Sequence, residues 1–209
     1  MKQIRIAFLP FIFFIYIFHL LVYIFSHNKK IIVSDVKSLK KRLSLDLPNI
    51  LMILYLLHYD KYFFTLFNNR IKNNKFRRFL YRNNSTHFII PDDVQIGLNL
   101  FYEHPYSTIL NAKSIGDNFS CKHLTTIGNK HEDENLRPVI LNNVSLGAGV
   151  TIIGDIIIGN NVIIGAGSVV TKDIPPNTVY AGNPAKFIKN IIPSVSSEEV
   201  VNLPGGVIK

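Results

Sequence analysis

The sequence predicts a mainly β fold, a parallel β-helix, behind an apolar and basic α-helical N-terminal region. Aliphatic residues recur every six positions through the second half of the chain, and glycines keep register with them. The first 88 residues instead carry long apolar stretches and most of the positive charge. The chain has 209 residues, 47% hydrophobic and 18% charged, with a mean hydropathy of +0.20. That composition excludes a disordered chain. Residues 1–88 hold 15 basic and 3 acidic residues (+12), and 89–209 hold 8 and 11 (−3), which together make the net +9. One half therefore favours an anionic surface and the other does not. The single cysteine, Cys121, excludes an intrachain disulfide and a cysteine-based zinc site.

The N-terminal region, 1–88, opens with residues 6–25 (IAFLPFIFFIYIFHLLVYIF), which carry no formal charge. As a helix, 20 residues measure about 30 Å, the depth of a bilayer core. Lys2 and Arg5 precede the run, Lys29 and Lys30 follow it, and Pro10 sits near its start, where a helix tolerates it. The segment reads as membrane-associated, either spanning or lying on the surface; the competing reading is a helix buried against its neighbours. If it spans, Lys29, Lys30, Lys37, Lys40, Lys41 and Arg42 behind it keep the rest of the chain on the cytoplasmic side. In residues 48–67 the uninterrupted apolar run Ile50–Leu57 is too short to span, which predicts a packed or interfacial helix. Residues 70–82 (RIKNNKFRRFLYR) interleave basic and aromatic residues. Next to apolar helices this points to an anionic lipid surface rather than nucleic acid, with a solvated linker as the plain alternative. His58 and His87 have no companions and read as structural.

The repeat follows, in a predicted domain at 89–190. Ile140, Leu146, Ile152, Ile158, Ile164 and Val170 keep a six-residue step, with Val144, Val150, Ile156, Val162 and Ser168 two positions earlier in the register. Upstream, Ile109, Ile115, Cys121 and Ile127 keep the same step, and Ile96-Gly97 fits it. A period of six is neither helical nor simple strand alternation. Short strands joined by tight turns explain it, and three hexads make one triangular coil. The repeat is interrupted at 97–108 and again at the polar stretch 128–138, which predicts an extruded loop. Gly147-Ala148-Gly149 and Gly165-Ala166-Gly167 lie 18 residues apart, one coil, so they should stack on one edge. The solenoid should stop at Pro175-Pro176, and residues 191–209 read as a tail.

Ala181-Gly182-Asn183-Pro184-Ala185-Lys186 resembles the AGxPA(K/R) ending of hexapeptide-repeat acyltransferases. With GAGSVV and KDIPPNTVYAGNPAKFI around it, the chain resembles the serine acetyltransferase-like branch of these left-handed β-helix proteins over roughly residues 90–190. The resemblance implies a homotrimer that binds acetyl-CoA between neighbouring prisms. It also implies a general base at His104, preceded by Glu103 where the family more often has Asp. Acetyl-CoA contacts map to Gly147, Ala148, Gly165, Ala166, Lys172, Pro184, Ala185 and Lys186. No metal is expected; His104, His123 and His131 depart from the histidine pattern of the zinc enzymes built on this solenoid.

The residue chemistry agrees. Acyl transfer from a thioester to a hydroxyl needs a base for the hydroxyl proton, and an imidazole, ordinarily titrating near pH ~6.5, suits it. Backbone N–H groups of a glycine-rich turn can hold the oxyanion. Serine acetyltransferases tend to carry Arg-His before the proline that ends the loop, but this chain has Leu136-Arg137-Pro138. Arg137 is then a donor for a carboxylate or a polar sugar, with His131 as a second candidate substrate contact. These departures and the apolar N-terminus favour a sugar hydroxyl of a capsular or other surface polysaccharide, acetylated on the cytoplasmic side of the membrane or in the cytoplasm. Serine O-acetylation, a nucleotide-sugar N-acetyltransferase and a non-catalytic scaffold are the alternatives; nucleic acid is not an expected partner.

Overall fold

The computed structural model describes residues 2–71, 87–130, 133 and 135–191. His131, residues 72–82 of the basic stretch and nearly all of the tail lie outside these described residues.

Pro10 shapes the first apolar run. It has no N–H to donate and its preset φ suits a first turn, so it starts a helix rather than continuing one. The run divides at Phe8 into α1 (Lys2–Ala7) and α2 (Leu9–Phe25). No single described helix is long and apolar enough to cross a membrane. The amphipathic α3 (Lys29–Leu43) ends at Ser44 in a left-handed conformation, φ 51°. The second apolar stretch forms α4 (Asn49–Tyr59) and α5 (Lys61–Arg70), bent 120° from each other. Met52 to Leu57 are buried without a break, so α4 is the core of the helical region, as its length predicts. Asp60 starts α5 by accepting hydrogen bonds from the backbone N–H groups of Tyr62 (3.0 Å) and Phe63 (3.2 Å).

The solenoid has five coils of three short strands. The first coil holds β1 (Phe88–Ile89), β2 (Gln95–Ile96) and β3 (Phe101–Glu103), and the second holds β4 (Thr108–Leu110), β5 (Ser114–Ile115) and β6 (Ser120–Lys122). The third is β7 (Thr126–Gly128), β8 (Val139–Ile140) and β9 (Ser145–Leu146), and the fourth β10 (Thr151–Ile153), β11 (Ile157–Ile158) and β12 (Ile163–Ile164). The fifth has β13 (Val169–Val170), a bridge at Ile174 and β14 (Thr178–Ala181). The strands stack in parallel into three sheets, β1-β4-β7-β10-β13, β2-β5-β8-β11 and β3-β6-β9-β12-β14. The hexad residues Ile115, Cys121, Ile127, Ile140, Leu146, Ile152, Ile158, Ile164 and Val170 fill the prism.

Two expectations are corrected. The solenoid does not stop at Pro175-Pro176: β14 pairs with β12 beyond the prolines, and β15 (Lys186–Asn190) closes the sheet as an antiparallel hairpin partner. Ile109 does not point inward. It is 38% exposed, and Leu110 takes the core position, opposite Ile127. The step from Leu110 to the core residue Ile115 is five residues rather than six, which causes this. The corner between β3 and β4 is irregular as well, since Glu103 pairs with Lys122, 19 residues on, but Ile109 pairs with Thr126, only 17 on. Two extra residues therefore sit at 104–107. The second interruption is a true insertion. Ser114 pairs with Val139, 25 residues on, where Val139 pairs with Ile157, 18 on.

The two regions are joined by buried charge. Arg70 donates to both carboxylate oxygens of Asp35 (2.8 and 3.1 Å) and to the carbonyls of Ile96 and Gly97. Asp35 in turn accepts from the N–H of Leu100 at 2.9 Å. Asp35 is fully buried and Arg70 nearly so. Burial raises the Asp35 pKa above the usual carboxylate value, and the charge and hydrogen bonds of Arg70 oppose the shift.

Candidate active site on one edge of the solenoid

Every corner that leads from the β3 sheet to the β1 sheet lies on one edge of the prism. His104 to Ser107 form the upper corner on this edge. The N–H of Leu124 below donates to the carbonyl of Tyr106 (2.9 Å), that of Gly149 to His123 (2.9 Å), and that of Gly167 to Ala148 (2.8 Å). The predicted stacking of the two glycine turns is thus observed, and His104 stands on the same edge. Coils repeat every ~4.8 Å, so three steps set the His104 corner roughly 15 Å from the Ala166 corner.

Glycine is needed here for two different reasons. A Cβ on Gly147 would lie 2.5 Å from the backbone nitrogen of Ala166, so that glycine lets the turns stack. Gly149 and Gly167 have φ of +67° and +68°, and a Cβ on Gly167 would meet nothing within 4 Å. The edge beside Gly167 is open and bare of side chains. An extended pantetheine-like arm could lie along it against the main chain. Pro184, Ala185 and Lys186 continue this edge: Val169 donates to the Gly182 carbonyl (3.0 Å), and Ala185 donates to that of Val169 (2.8 Å). Lys172 does not join them. It follows β13 on the next edge round, beside Asp173, which accepts from the N–H of Ile157 (2.8 Å).

His104 is exposed and held at φ 50° by the tight corner, whose Tyr106 N–H donates back to the His104 carbonyl at 2.7 Å. Nine other non-glycine residues of the described chain share the left-handed region, Ser107 and Leu124 on this same edge among them, so the conformation belongs to the turn geometry of the corners. β3 ends at Glu103, so strand alternation does not govern the pair. The Glu103 carboxylate is taken by Lys122, 2.8 Å away on the neighbouring strand, and that hydrogen bond and charge hold its pKa below the usual range. Beneath it, Arg42 donates to the Tyr102 carbonyl (3.0 Å) and to Asp60 (2.6 Å), which also accepts from the Tyr102 hydroxyl (3.0 Å). This network pins the peptide immediately before Glu103-His104 to α3 and α5.

A cavity of about 550 Å³ opens over His104 and Glu103. Its walls come from the helical region and include Arg5, Tyr55, Tyr59, Lys61 and Tyr62, together with the Arg42–Asp60 ion pair. The Arg5 guanidinium lies 5.0 Å from the Tyr59 ring centre, and the Lys61 ammonium 5.1 Å from that of Tyr62. Sequence reasoning missed these residues, since no local pattern links positions 5, 55 and 62 to 104. Arg137 does not line this cavity; its guanidinium reaches Asn111 (3.0 Å) and Asp93 (2.5 Å), where it fastens the end of the loop to the first two coils.

Residues 137–172 match the family model for the bacterial transferase hexapeptide (six repeats). The chain is 33% identical over 180 residues to the serine acetyltransferase of Buchnera aphidicola subsp. Schizaphis graminum, covering 80% of this chain and 69% of that one. It belongs to the hexapeptide-repeat transferases. It is also 44% identical over 92 residues to the Escherichia coli K12 protein that carries the name colanic acid biosynthesis acetyltransferase WcaB. That match covers 44% of this chain and 57% of the relative, so the chain spans little more than half the length of that protein. Among solved structures, the Brucella abortus serine acetyltransferase in complex with coenzyme A superposes with a TM-score of 0.64 at 25% identity, over 78% of this chain and 68% of that one. Within this hexapeptide-repeat frame, the open glycine edge and the His104 corner are the parts that bear on chemistry.

Proposed function

We propose that the protein is an acetyl-CoA-dependent O-acetyltransferase acting on an anionic sugar hydroxyl of a surface polysaccharide or its precursor, at the cytoplasmic face of the membrane. One observation carries this reading: His104 shares an edge with the open glycine turns and faces a cavity walled by tyrosines and cations. The acyl donor lies along Gly149 and Gly167, with its thioester at the His104 corner and Pro184 to Lys186 at the far end. His104 takes the hydroxyl proton as the oxygen attacks the thioester carbonyl. The C–O bond forms, the C–S bond breaks, and His104 returns the proton to the departing thiolate. No covalent enzyme intermediate is needed, because the thioester is already activated.

The cavity favours a sugar over free serine. Its volume lies within the range of pockets that hold drug-sized ligands and exceeds what a free amino acid requires. Tyrosine faces pack against the C–H face of a sugar ring, and their hydroxyls meet its polar rim. Arg5 and Lys61 suit a uronate or sugar phosphate. The likeness to WcaB supports a polysaccharide acceptor, and the longer likeness to a serine acetyltransferase supports serine as the second reading. Lys172 on a separate edge is consistent with a homotrimer whose donor sites lie between prisms.

The test is thiol release from acetyl-CoA by the purified full chain, with L-serine or an unacetylated uronate-containing capsule glycan as acceptor. Cys121 is buried and its thiol is pushed up to about 12 by burial, so it stays silent toward thiol reagents in the folded protein. Glycan-dependent release that disappears in His104→Ala is the expected result. Serine-dependent release without glycan-dependent release would overturn the acceptor assignment.

A further inference from the structure

The helix α2 carries apolar residues all round but packs only one side. Leu9, Ile12, Tyr16, Leu20 and Tyr23, spaced by three and four, are buried where α2 meets α4. The opposite face, with the same spacing, is Phe11, Phe14, Phe18, Leu21 and Phe25, and its phenylalanines are 68–76% exposed. At about 200 Å² per aromatic side chain, this face and the adjoining Phe8 and Ile15 expose on the order of 800 Å², more than a soluble monomer leaves bare. The helix has 17 residues. It is therefore roughly 26 Å long, short of a bilayer core, and its inner side is taken by α4.

The charges around it have one sign. Arg5 stands before α2, and the exposed Lys29 and Lys30 stand after it. Of the three acidic residues up to position 71, Asp35 is held by Arg70, Asp60 by Arg42, and the exposed Asp46 on the loop after α3 pairs with Lys40 at 3.6 Å. Residues 72–88 add five basic residues and no acidic one. We infer that the outward face of α2 lies in the plane of an anionic bilayer, with its phenylalanines among the upper acyl chains and Arg5, Lys29 and Lys30 at the headgroups. A second copy of the chain is the poorer occupant. Pairing two α2 faces, parallel or antiparallel, sets cations against cations at both ends, whereas an anionic lipid surface neutralises both. Arg5 also lines the cavity over His104. Under the acceptor reading above, docking holds that cavity at the headgroup layer, where a lipid-linked sugar would reach it; the docking itself does not depend on that reading.

The experiment is flotation of the full chain with vesicles of phosphatidylcholine alone and of phosphatidylcholine with about a third phosphatidylglycerol. The chain should float with the anionic vesicles and be extracted by alkaline carbonate. Phe14→Asp with Phe18→Asp should abolish flotation while leaving acetyl-CoA thiol release and the circular dichroism spectrum unchanged. Lys29→Gln with Lys30→Gln should weaken it by roughly tenfold or more, the effect of two headgroup-level charges. Failure of the wild type to float would overturn the inference. So would a larger assembly in solution that the Phe14→Asp, Phe18→Asp variant breaks down, which would assign the face to a second copy. Resistance to carbonate would overturn the in-plane geometry in favour of insertion. None of these readouts requires the acetyltransferase assignment to hold.

Discussion

At the scale of single residues, His104 combines exposure with a constrained backbone, and its neighbours are occupied elsewhere. Glu103 is held by Lys122 rather than by the imidazole, so it is placed to meet the acceptor or to set the local charge, not to orient the ring. Replacing His104 with Ala should lower kcat by about 10²–10⁴-fold with little change in the KM for acetyl-CoA, read by thiol release. His19 makes a different prediction. Its ring lies against Tyr16, Phe64 and Phe67, and neither nitrogen has a hydrogen-bond partner. Burial lowers its pKa to about 4. The unfolded chain takes up this proton near pH 6.5 and the folded chain does not until about pH 4, so stability is full above pH 6.5 and falls between those values. The loss should approach about 2 kcal/mol, below the full linkage value because solvent reaches part of the ring. Urea unfolding at pH 7 and pH 4.5 should show a larger drop for wild type than for His19→Phe.

At the scale of elements, the two glycine turns separate stability from binding. Gly147→Val would drive a side chain into the Ala166 backbone, so it should lower the unfolding midpoint sharply, with loss of coil-to-coil hydrogen bonds. Gly167→Ala meets no atom, and its cost is the left-handed backbone alone, about 1 kcal/mol. If the donor lies on that edge, Gly167→Ala should raise the KM for acetyl-CoA several-fold while the protein stays folded; an unchanged KM would remove the donor from this edge. The α3–α5–β3 junction works at the same scale. Arg42, Asp60 and Tyr102 place the peptide before the His104 corner, and burial holds the Tyr102 hydroxyl protonated, its pKa well above the usual value.

At the scale of the whole molecule, the helical region and the solenoid are linked through Asp35 and Arg70. Breaking a buried, hydrogen-bonded ion pair by removing one partner costs about 3–5 kcal/mol. Arg70→Met should therefore destabilise the chain by that amount. Because Arg70 also holds the carbonyls of Ile96 and Gly97, the variant should separate helical and β unfolding into two transitions where wild type shows one. Circular dichroism at two wavelengths through a denaturant titration reads both effects. The solenoid was legible in the sequence because its order is local. Each coil repeats the same inward residue and the same tight turn within six positions, so periodicity alone places Ile140 to Val170 in the core and the two glycine triplets on one edge. The slip at Ile109 was not legible, since it depends on the turn after β4 being one residue short, which the six-residue count hides. Nor were the cavity walls: Arg5, Tyr55 and Tyr62 reach His104 only after α1, α4 and α5 have packed and Asp35 has taken Arg70. By itself, then, the sequence determined the repeat and the glycine edge, both set by spacing along the chain, while the candidate base came from the family resemblance. Tertiary structure alone decided that the first apolar run is a short helix with one bare face, and that the helical region roofs the site. Helix packing is chosen by long-range burial and buried charge, and neither leaves a period to read.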